Sequence, residues 1–270
     1  MNVLDLFSGI GGFSLGLERA GMKTAAFCEI DPFCRRVLAK HWPEVPCYDD
    51  IRTLTAARLA ADGISVDVIC GGFPCQDISV AGKGAGLAGE RSGLWCEYAR
   101  LVGELRPRFV IVENVAALLG RGLADVLGDF AALGYDAEWH CIPASAVGAP
   151  HRRDRVWICA YSRREQRSPF LGFSHSAEEP GQSDRLGHLG APLADTHCAR
   201  LQTSRPEPLG ADRIISGGML AADSWWSIEP DVGRVAHGVP FRVDRLRALG
   251  NAVVPQIPEL IGRAIMGAIS

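Results

Sequence analysis

Lysine is scarce in this chain of 270 residues, because only Lys23, Lys40 and Lys83 are lysines among the 28 basic residues. The other cations are arginines, whose planar guanidinium groups make paired contacts with phosphate or guanine that an ammonium group cannot make. A coding bias toward arginine would give the same composition. The excess of arginine is therefore compatible with nucleic-acid binding without establishing it.

The chain also lacks long apolar runs and regular cysteine spacings. No stretch approaches the roughly 20 apolar residues that span a bilayer, and no charged leader precedes an apolar segment at the N-terminus. We therefore expect a cytoplasmic protein with no membrane partner. The nine cysteines include no CxxC pair, so we expect neither a disulfide framework nor a metal site. Zinc held by Cys28, Cys34 and His41 is the weaker alternative.

The net charge of −3 is unevenly distributed. Residues 1–150 contain 13 Lys and Arg against 18 Asp and Glu, whereas residues 151–270 contain 15 against 13. A negative total does not exclude an anionic partner when the cations gather on one surface. Any basic surface is therefore expected on one part of the protein and not over all of it.

Short apolar runs alternate with helical patterns over the first 160 residues, which predicts an α/β fold with a doubly wound, mostly parallel sheet. The predicted strands are 2–7, 24–29, 66–71, 109–113, 136–142 and 155–161. The predicted helices are 13–20, 32–41, 93–105, 123–133 and 255–269. From 162 to 238 the pattern gives way to Gly, Pro, Ser, His and Arg, which indicates a small irregular domain or a flexible insertion. The main domain is thus predicted to combine 1–161 with 239–270.

A glycine-rich turn, Gly9-x-Gly11-Gly12, follows the first predicted strand and precedes the first helix. Glycines there let the backbone approach a ligand closely, and the helix N-terminus offers free N–H groups to an anion. The spacing departs from G-x-G-x-x-G, which disfavours a nicotinamide or flavin cofactor. Glu29 ends the second strand, where acids commonly bind ribose hydroxyls, and Asp50 could accept from an adenine amino group. Either acid could instead cap a helix or lie in a solvated turn.

Reactive side chains follow three further strands. Cys75, in the segment GGFPCQ, lies at the carboxyl edge of the sheet, where a thiol with a lowered pKa is a nucleophile; a buried, inert cysteine is the alternative. Glu113 ends a strongly apolar strand and is costly to bury without a partner or an exchangeable proton. We expect Glu113 and Cys75 to face one pocket. Arg153 and Arg155 alternate, and we predict that they point to the same face of a strand.

Taken together, these segments resemble the C5-cytosine DNA methyltransferase family. The resemblance covers residues 1–161 and about 240–270, and the motifs occur in the order of the family. They are DLFSGIGGF, Glu29, Asp50-Ile51, GFPCQ, ENV, HRRDR and the segment from Leu249 to Pro255. The resemblance implies a class I, Rossmann-like S-adenosylmethionine-dependent methyltransferase, with S-adenosylhomocysteine as product and a target recognition domain at 162–238. The chain departs from the family at His151, usually Gln, and in the shortness of that recognition segment.

The resemblance also implies roles for individual residues. Cys75 would add to C6 of a flipped-out cytosine, Glu113 would hold N3 and the exocyclic amine, and Arg155, with Arg153 nearby, would bind O2. The implied cofactor contacts are Phe7, Gly9, Ile10, Gly11, Gly12, Glu29, Ile30, Asp50, Ile51, Pro74, Leu94, Asn251 and Val253. The implied DNA contacts are Gln76, Ser79, Arg163 and Arg164.

The implied partner is double-stranded DNA, bound by a monomer. Residues 76–92 would form the mobile catalytic loop, or else an ordinary surface loop. A cognate restriction endonuclease acting independently, or protection of a phage genome, would supply the biological role. A tRNA cytosine methyltransferase of the same superfamily and an inactive DNA-binding relative are the competing interpretations.

Overall fold

One seven-stranded sheet organises the part of the chain that the computed structural model describes, namely residues 1–74, 93–163 and 242–269. The strand order is β3-β2-β1-β4-β5-β7-β6, and β7 alone runs antiparallel to its neighbours β5 and β6. The strands are β1 Asn2–Leu6, β2 Lys23–Cys28, β3 Cys47–Tyr48, β4 Val68–Gly71, β5 Phe109–Val115, β6 Tyr135–Pro143 and β7 Asp154–Ser162. The doubly wound, mostly parallel sheet predicted from the sequence is confirmed.

The chain reverses its direction of winding at β1. From β1 the chain proceeds outward to β2 and β3 on one side, and then returns to β4 and β5 on the other. In an open α/β sheet a crevice forms outside the carboxyl ends of the two strands at this reversal, and ligands bind there. The loops that follow β1 and β4 are the glycine-rich turn and the GFP turn, so the fold brings both to this crevice.

Helices cover both faces of the sheet. They are α1 Gly12–Arg19, α2 Pro32–His41, α3 Ala56–Ala61, α4 Leu94–Leu105, α5 Leu118–Arg121, α6 Leu123–Ala132, α7 Arg242–Asn251 and α8 Gln256–Ile269. The five predicted helices are confirmed to within a residue or so at each end. The sequence patterns missed β3, α3 and α5, which have two, six and four residues and are too short for a period to show. They also missed α7, whose apolar side chains Val243, Leu246 and Leu249 are exposed.

Alternate side chains of the strands enter two separate cores, as the two-residue period of a strand requires. On one face Leu4, Ile69 and Val110 pack with α4 and α6. On the other face Val68 and Ile111 pack with α1 and α8. A fully buried side chain of this size contributes about 1.5–3 kcal/mol by leaving water, so the sheet is a firm base for the loops at its edge.

Glycines allow α8 to pack closely on α1. A Cβ atom on Gly16 would collide with the carbonyl oxygen of Pro255, and one on Gly262 would lie 2.7 Å from the Cβ of Ala20. The C-terminal helix therefore lies directly against the helix that follows the glycine-rich turn. This contact fixes the segment preceding α8 beside the crevice.

The stretch Val243–Ile269 is long and apolar enough to cross a membrane by length and composition. No uninterrupted apolar run was expected here, because charged residues divide the stretch, namely Asp244, Arg245, Arg247, Glu259 and Arg263. The structure has two helices here, with Ile257, Ile261 and Ile265 of α8 buried in the core beside α1. Six of the described cysteines are outside disulfides, namely Cys28, Cys34, Cys47, Cys70, Cys96 and Cys159.

Candidate active site

The glycine-rich turn adopts left-handed backbone conformations that few side chains tolerate. Gly9 has φ 55° and Gly11 has φ 88°. A Cβ atom on Gly9 would have no neighbour within 4 Å, whereas one on Gly11 would lie 2.6 Å from the Trp42 ring. Gly11 is therefore required by packing, and Gly9 faces open space that a ligand can enter. Phe7, also at positive φ (53°), is half-buried and stacks on Tyr98 with ring centroids 6.5 Å apart.

Glu29 joins this turn to the end of β2. Its Oε2 accepts a hydrogen bond of 2.7 Å from the Gly9 N–H, and its Oε1 accepts one of the same length from the Asp31 N–H. The side chain is only 8% exposed, so these bonds are needed to keep a buried carboxylate satisfied. Asp31 in turn caps α2 by accepting from the Phe33 N–H. The geometry of Glu29 is compatible with both functions considered for it, a structural one and a ligand-binding one.

Asp50 lies on the far side of the crevice, after β3. The Arg52 guanidinium binds its carboxylate at 2.8 Å, and this hydrogen bond is the main reason that the pKa of Asp50 is lowered. Ile51 beside it is buried, and Arg100 of α4 donates to the carbonyl oxygens of Ile51 and Leu54, both at 2.9 Å. The loop is thus held rigidly from behind by α4, which fixes the direction of Asp50.

The other residues assigned to the cofactor surround these groups. Ile30 is 64% exposed directly after Glu29, Ile10 and Leu94 are half-buried, and Pro74 is exposed. Gly12 lies against Val253, because a Cβ atom on Gly12 would be 2.7 Å from the Val253 carbonyl oxygen. Asn251, at the end of α7, is exposed. The fold thus brings the C-terminal segment to the glycine-rich turn, although about 240 residues separate them in sequence.

Asp5, which the sequence analysis did not single out, is fully buried beneath this turn. Its Oδ2 accepts from the Ser14 hydroxyl at 2.7 Å and from the Ser14 N–H at 3.3 Å, while Oδ1 has no hydrogen-bond partner. Burial raises the pKa of Asp5 to about 7, with the charge of Glu29 adding to the rise, and with Ser14 and the Cys70 thiol opposing it.

This burial predicts a pH-dependent stability. Between about pH 4 and pH 7 the folded protein keeps a proton on Asp5 that the unfolded chain releases. The contribution of this proton to the free energy of unfolding is therefore fully present below pH 4 and is lost as pH rises through 7. Asp5→Asn cannot lose a proton. Urea unfolding should therefore show the stability of the wild type falling relative to Asp5→Asn by about 3 kcal/mol between pH 4.5 and 7.5. Parallel pH profiles for the two proteins would contradict this account of Asp5.

Glu113 and Arg155 form an ion pair at the carboxyl edge of the sheet. Arg155 Nε lies 2.8 Å from Glu113 Oε1, and the two side chains are 22% and 12% exposed. Burial raises the pKa of Glu113, and the charges of Arg155 and then Arg153 counteract the rise. A carboxyl group in this setting keeps its proton to a higher pH than usual while a cation holds it in place, which suits proton donation to a substrate.

The GFP turn after β4 passes directly over this ion pair. A Cβ atom on Gly72 would lie 2.9 Å from Glu113 Oε2, so a larger residue here would displace the Glu113 carboxylate from its present position. Phe73 packs on Trp95 with ring centroids 5.0 Å apart, and its carbonyl oxygen accepts from Asn114 Nδ2 at 3.1 Å. Asn114 is 4% exposed. Asn114 belongs to the ENV motif but was assigned no role of its own; a polar amide at the end of an apolar strand was the signal available.

The prediction that Arg153 and Arg155 share a strand face is wrong. β7 begins at Asp154, and Arg153 precedes it with a left-handed φ of 42°, so the alternation of a strand does not relate the two residues. The Arg153 guanidinium instead donates to the carbonyl oxygens of Gly250 and Ala252. Its catalytic role remains a prediction from the resemblance.

Arg163, predicted to contact DNA, lies at the other end of β7 from Arg155. Because β7 is antiparallel to β5, Arg155 pairs with Val115 at the carboxyl end of β5. Arg163 lies two residues beyond Tyr161, which pairs with Phe109 at the start of β5. Eight residues of strand separate them, or about 26 Å. Arg163 pairs with Asp136 at 3.3 Å. It is therefore not positioned to contact a base held by Arg155.

Several predicted site residues lie outside the described residues, namely Cys75, Gln76, Ser79 and Arg164. Within residues 1–74, 93–163 and 242–269, no three His, Cys, Asp or Glu side chains are arranged to hold a metal ion, so the alternative zinc site at Cys28, Cys34 and His41 does not form there.

Comparison with known proteins gives consistent matches. A model of the C-5 cytosine-specific DNA methylase family matches residues 1–203. The type II methyltransferase M2.BsuMI of Bacillus subtilis (strain 168) is 35% identical over 202 residues, which are 70% of this chain and 50% of that protein. M.Eco47II of Escherichia coli is 37% identical over 163 residues, 58% of this chain and 39% of that one. This chain thus spans about half the length of such curated relatives, or less.

Solved structures support the fold. A DNA modification methyltransferase encoded within an E. coli prophage superposes with a TM-score of 0.53 at 30% identity, covering 62% of this chain and 48% of that chain. The S. pombe Dnmt2 methyltransferase gives a TM-score of 0.53 at 20% identity, covering 68% of this chain and 57% of that one, which is evidence for the fold alone. With the strand order above, these likenesses confirm the class I methyltransferase fold.

Proposed function

Because the chain belongs to the C-5 cytosine-specific DNA methylase family, we propose that it transfers a methyl group from S-adenosylmethionine to C5 of a cytosine in a short DNA sequence. The observation that carries the proposal is the half-buried Glu113–Arg155 pair, which lies against Gly72 at the same sheet edge as the glycine-rich turn. One pocket can thus hold a pyrimidine beside a nucleoside cofactor.

The crevice suits that cofactor. Gly9 borders open space, Ile30 offers exposed apolar surface for a ring, and Glu29 is held in a fixed orientation by two backbone N–H groups. Each carboxylate oxygen can accept more than one hydrogen bond, so Glu29 can still bind ribose hydroxyls. Asp50 is fixed by Arg52 and can likewise accept from an amino group. The cofactor would supply an electrophilic methyl group and leave as S-adenosylhomocysteine.

Cytosine C5 is a weak nucleophile, and the chain's side chains must raise its reactivity. In the proposed mechanism the thiolate of Cys75 adds to C6 while Glu113 delivers a proton to N3, so the ring becomes an enamine whose C5 can form the new bond. Arg155 would hold O2 and stabilise the charge that develops there. A base then removes the C5 proton, and elimination expels the Cys75 thiolate and restores the aromatic ring as N3 returns its proton to Glu113.

The position of Cys75 is limited by covalent geometry. Three residues can span at most about 11 Å, and Gly72 lies against the Glu113 carboxyl group. Chain connectivity alone therefore keeps Cys75 close to a pyrimidine ring that is bound at the ion pair. A base in a stacked duplex could not enter this pocket, so we propose that the target is flipped out, at a cost of a few kcal/mol. Gln76 and Ser79 would occupy the vacated space.

Residues 162–238 are the proposed target recognition domain, attached to a catalytic body formed by 1–161 and 239–270. Arginines within that segment, Arg164 among them, would contact DNA. We further propose that the protein acts in the cytoplasm as a monomer, as the DNA-methylating partner of a separately acting restriction endonuclease or as a protector of phage DNA.

A side-by-side assay tests this function. Purified protein, S-adenosylmethionine carrying a labelled methyl group, and a reductant are incubated with duplex DNA or with tRNA. We expect label in DNA, and bisulfite sequencing should place it at cytosines within one short recurring sequence. Label in tRNA alone would replace the proposal with the RNA activity. DNA binding without methylation of either substrate would favour the inactive relative.

A further inference from the structure

Arg153 bridges two parts of the chain that are almost 100 residues apart. Its Nη1 donates to the Gly250 carbonyl oxygen at 2.6 Å, and its Nη2 donates to the Ala252 carbonyl oxygen at 2.9 Å. Hydrogen bonds from a charged donor are roughly twice as strong as neutral ones. The two acceptors flank Asn251, so one guanidinium fixes the peptide on each side of that residue.

The bridged segment is the one that reaches the cofactor crevice. Directly after Ala252, the Val253 carbonyl oxygen packs where a Cβ atom on Gly12 would otherwise lie, 2.7 Å away. The Asn251 side chain remains exposed beside this contact. Arg153 therefore holds Asn251 at the crevice from the catalytic side of the sheet.

A second tether acts on α7 from the cofactor side. Arg247 Nη2 lies 2.7 Å from Asp31 Oδ2, and Asp31 follows Ile30 directly. The Arg247 side chain is 60% exposed, so the pair is screened by solvent and contributes little. Arg153 is the more buried of the two anchors and makes two hydrogen bonds to backbone.

The backbone of Arg153 indicates that this arrangement is imposed by the fold. A left-handed conformation costs a residue other than glycine about 1–2 kcal/mol, and Arg153 adopts it at φ 42°. Burial and the neighbouring Arg155 also lower the pKa of Arg153, which means that its charge is held at some cost. Such costs persist where surrounding contacts determine the conformation, commonly at functional sites.

We propose that Arg153 is a positioning residue for the cofactor and not a group that acts on the base. It holds Gly250 and Ala252 so that Asn251 and Val253 complete the crevice, and it thereby couples the catalytic pair to the cofactor. The inference rests on the proposed function and assigns Arg153 a different role from the one that the resemblance implied.

The test compares Arg153→Ala and Arg153→Lys with Arg155→Ala and with Arg152→Ala, a control whose exposed side chain makes a 3.8 Å contact with Asp154 within the described part of the chain. S-adenosylhomocysteine binding is measured by titration calorimetry, KM and kcat by methyl transfer, and amide exchange of residues 249–254 by mass spectrometry without cofactor. Thermal unfolding checks that each variant is folded.

For Arg153→Ala we expect the Kd for S-adenosylhomocysteine and the KM for S-adenosylmethionine to rise about tenfold to a hundredfold, with kcat changed only severalfold. Amide exchange at 251–253 should accelerate. Arg153→Lys should lose less, because a lysine can still reach one carbonyl. Arg155→Ala should lower kcat and leave Kd unchanged, and Arg152→Ala should resemble the wild type.

A fall in kcat for Arg153→Ala, with normal Kd and normal exchange, would overturn the inference and return Arg153 to the base. A wild type that binds no S-adenosylhomocysteine would instead overturn the proposed function. In that case amide exchange in the cofactor-free protein still decides whether Arg153 anchors the segment: unchanged exchange in Arg153→Ala overturns the anchor.

Discussion

Cys75→Ser should abolish methyl transfer to DNA. A serine hydroxyl is a far weaker nucleophile than a thiolate at neutral pH, and C5 stays unreactive unless C6 is attacked first. We expect the rate to fall by roughly three orders of magnitude or more, the scale on which covalent catalysis suffers when its nucleophile is lost. Transfer of labelled methyl groups to duplex DNA under reducing conditions measures this.

Cys96→Ser is the matched control for that change. Cys96 lies half-buried on α4, outside the proposed catalytic set. It should retain wild-type activity within about twofold, since an isosteric change away from a site costs little. A Cys75→Ser protein that methylates DNA at the wild-type rate would remove the thiol from the mechanism.

Glu113→Gln should lower kcat by about 10²- to 10⁴-fold, the usual contribution of general acid catalysis. Glutamine preserves the shape of the side chain but can neither deliver a proton to N3 nor pair with the Arg155 charge. Binding of S-adenosylhomocysteine should be unaffected, because Glu113 contacts the GFP turn and Arg155 and not the glycine-rich turn.

The pH dependence of the methyl-transfer rate tests the same role of Glu113. Burial raises the pKa of Glu113, and the protonated form is the competent one, so the wild-type rate should fall as pH rises through that pKa. The residual rate of Glu113→Gln should have no such descending limb. Glu259→Gln, whose carboxylate pairs with the exposed Arg263 on α8, is the control and should behave as the wild type. A fully active Glu113→Gln would contradict the role of Glu113.

The parts of the site that could be predicted from the sequence are those fixed by strand ends. β1, β2, β4 and β5 are apolar runs, and parallel strands bring their carboxyl ends to one edge. The predicted approach of Glu113 to the GFP turn follows from this rule, because β4 and β5 pair in register.

The parts that could not be predicted depend on tertiary contacts. Arg153 was placed on a strand face because alternating residues in a strand share a face, but a left-handed turn before β7 directs its guanidinium to a segment almost 100 residues away. Similarly, the amide of Asn114 stood out in an apolar strand, but the sequence could not identify the Phe73 carbonyl as its partner. Hydrogen bonds between distant segments follow from the packed fold and leave no periodic signal.

Trapping on 5-fluorocytosine DNA tests the central claim most directly. An oligonucleotide duplex with 5-fluorocytosine at the methylated position is incubated with the protein, S-adenosylmethionine and a reductant, and the product is digested for mass spectrometry. Because fluorine cannot leave as a proton does, the account predicts a stable protein–DNA complex whose only modified residue is Cys75, absent from Cys75→Ser. Methylation of ordinary DNA without any trapped complex, or a complex joined through another residue, would contradict it.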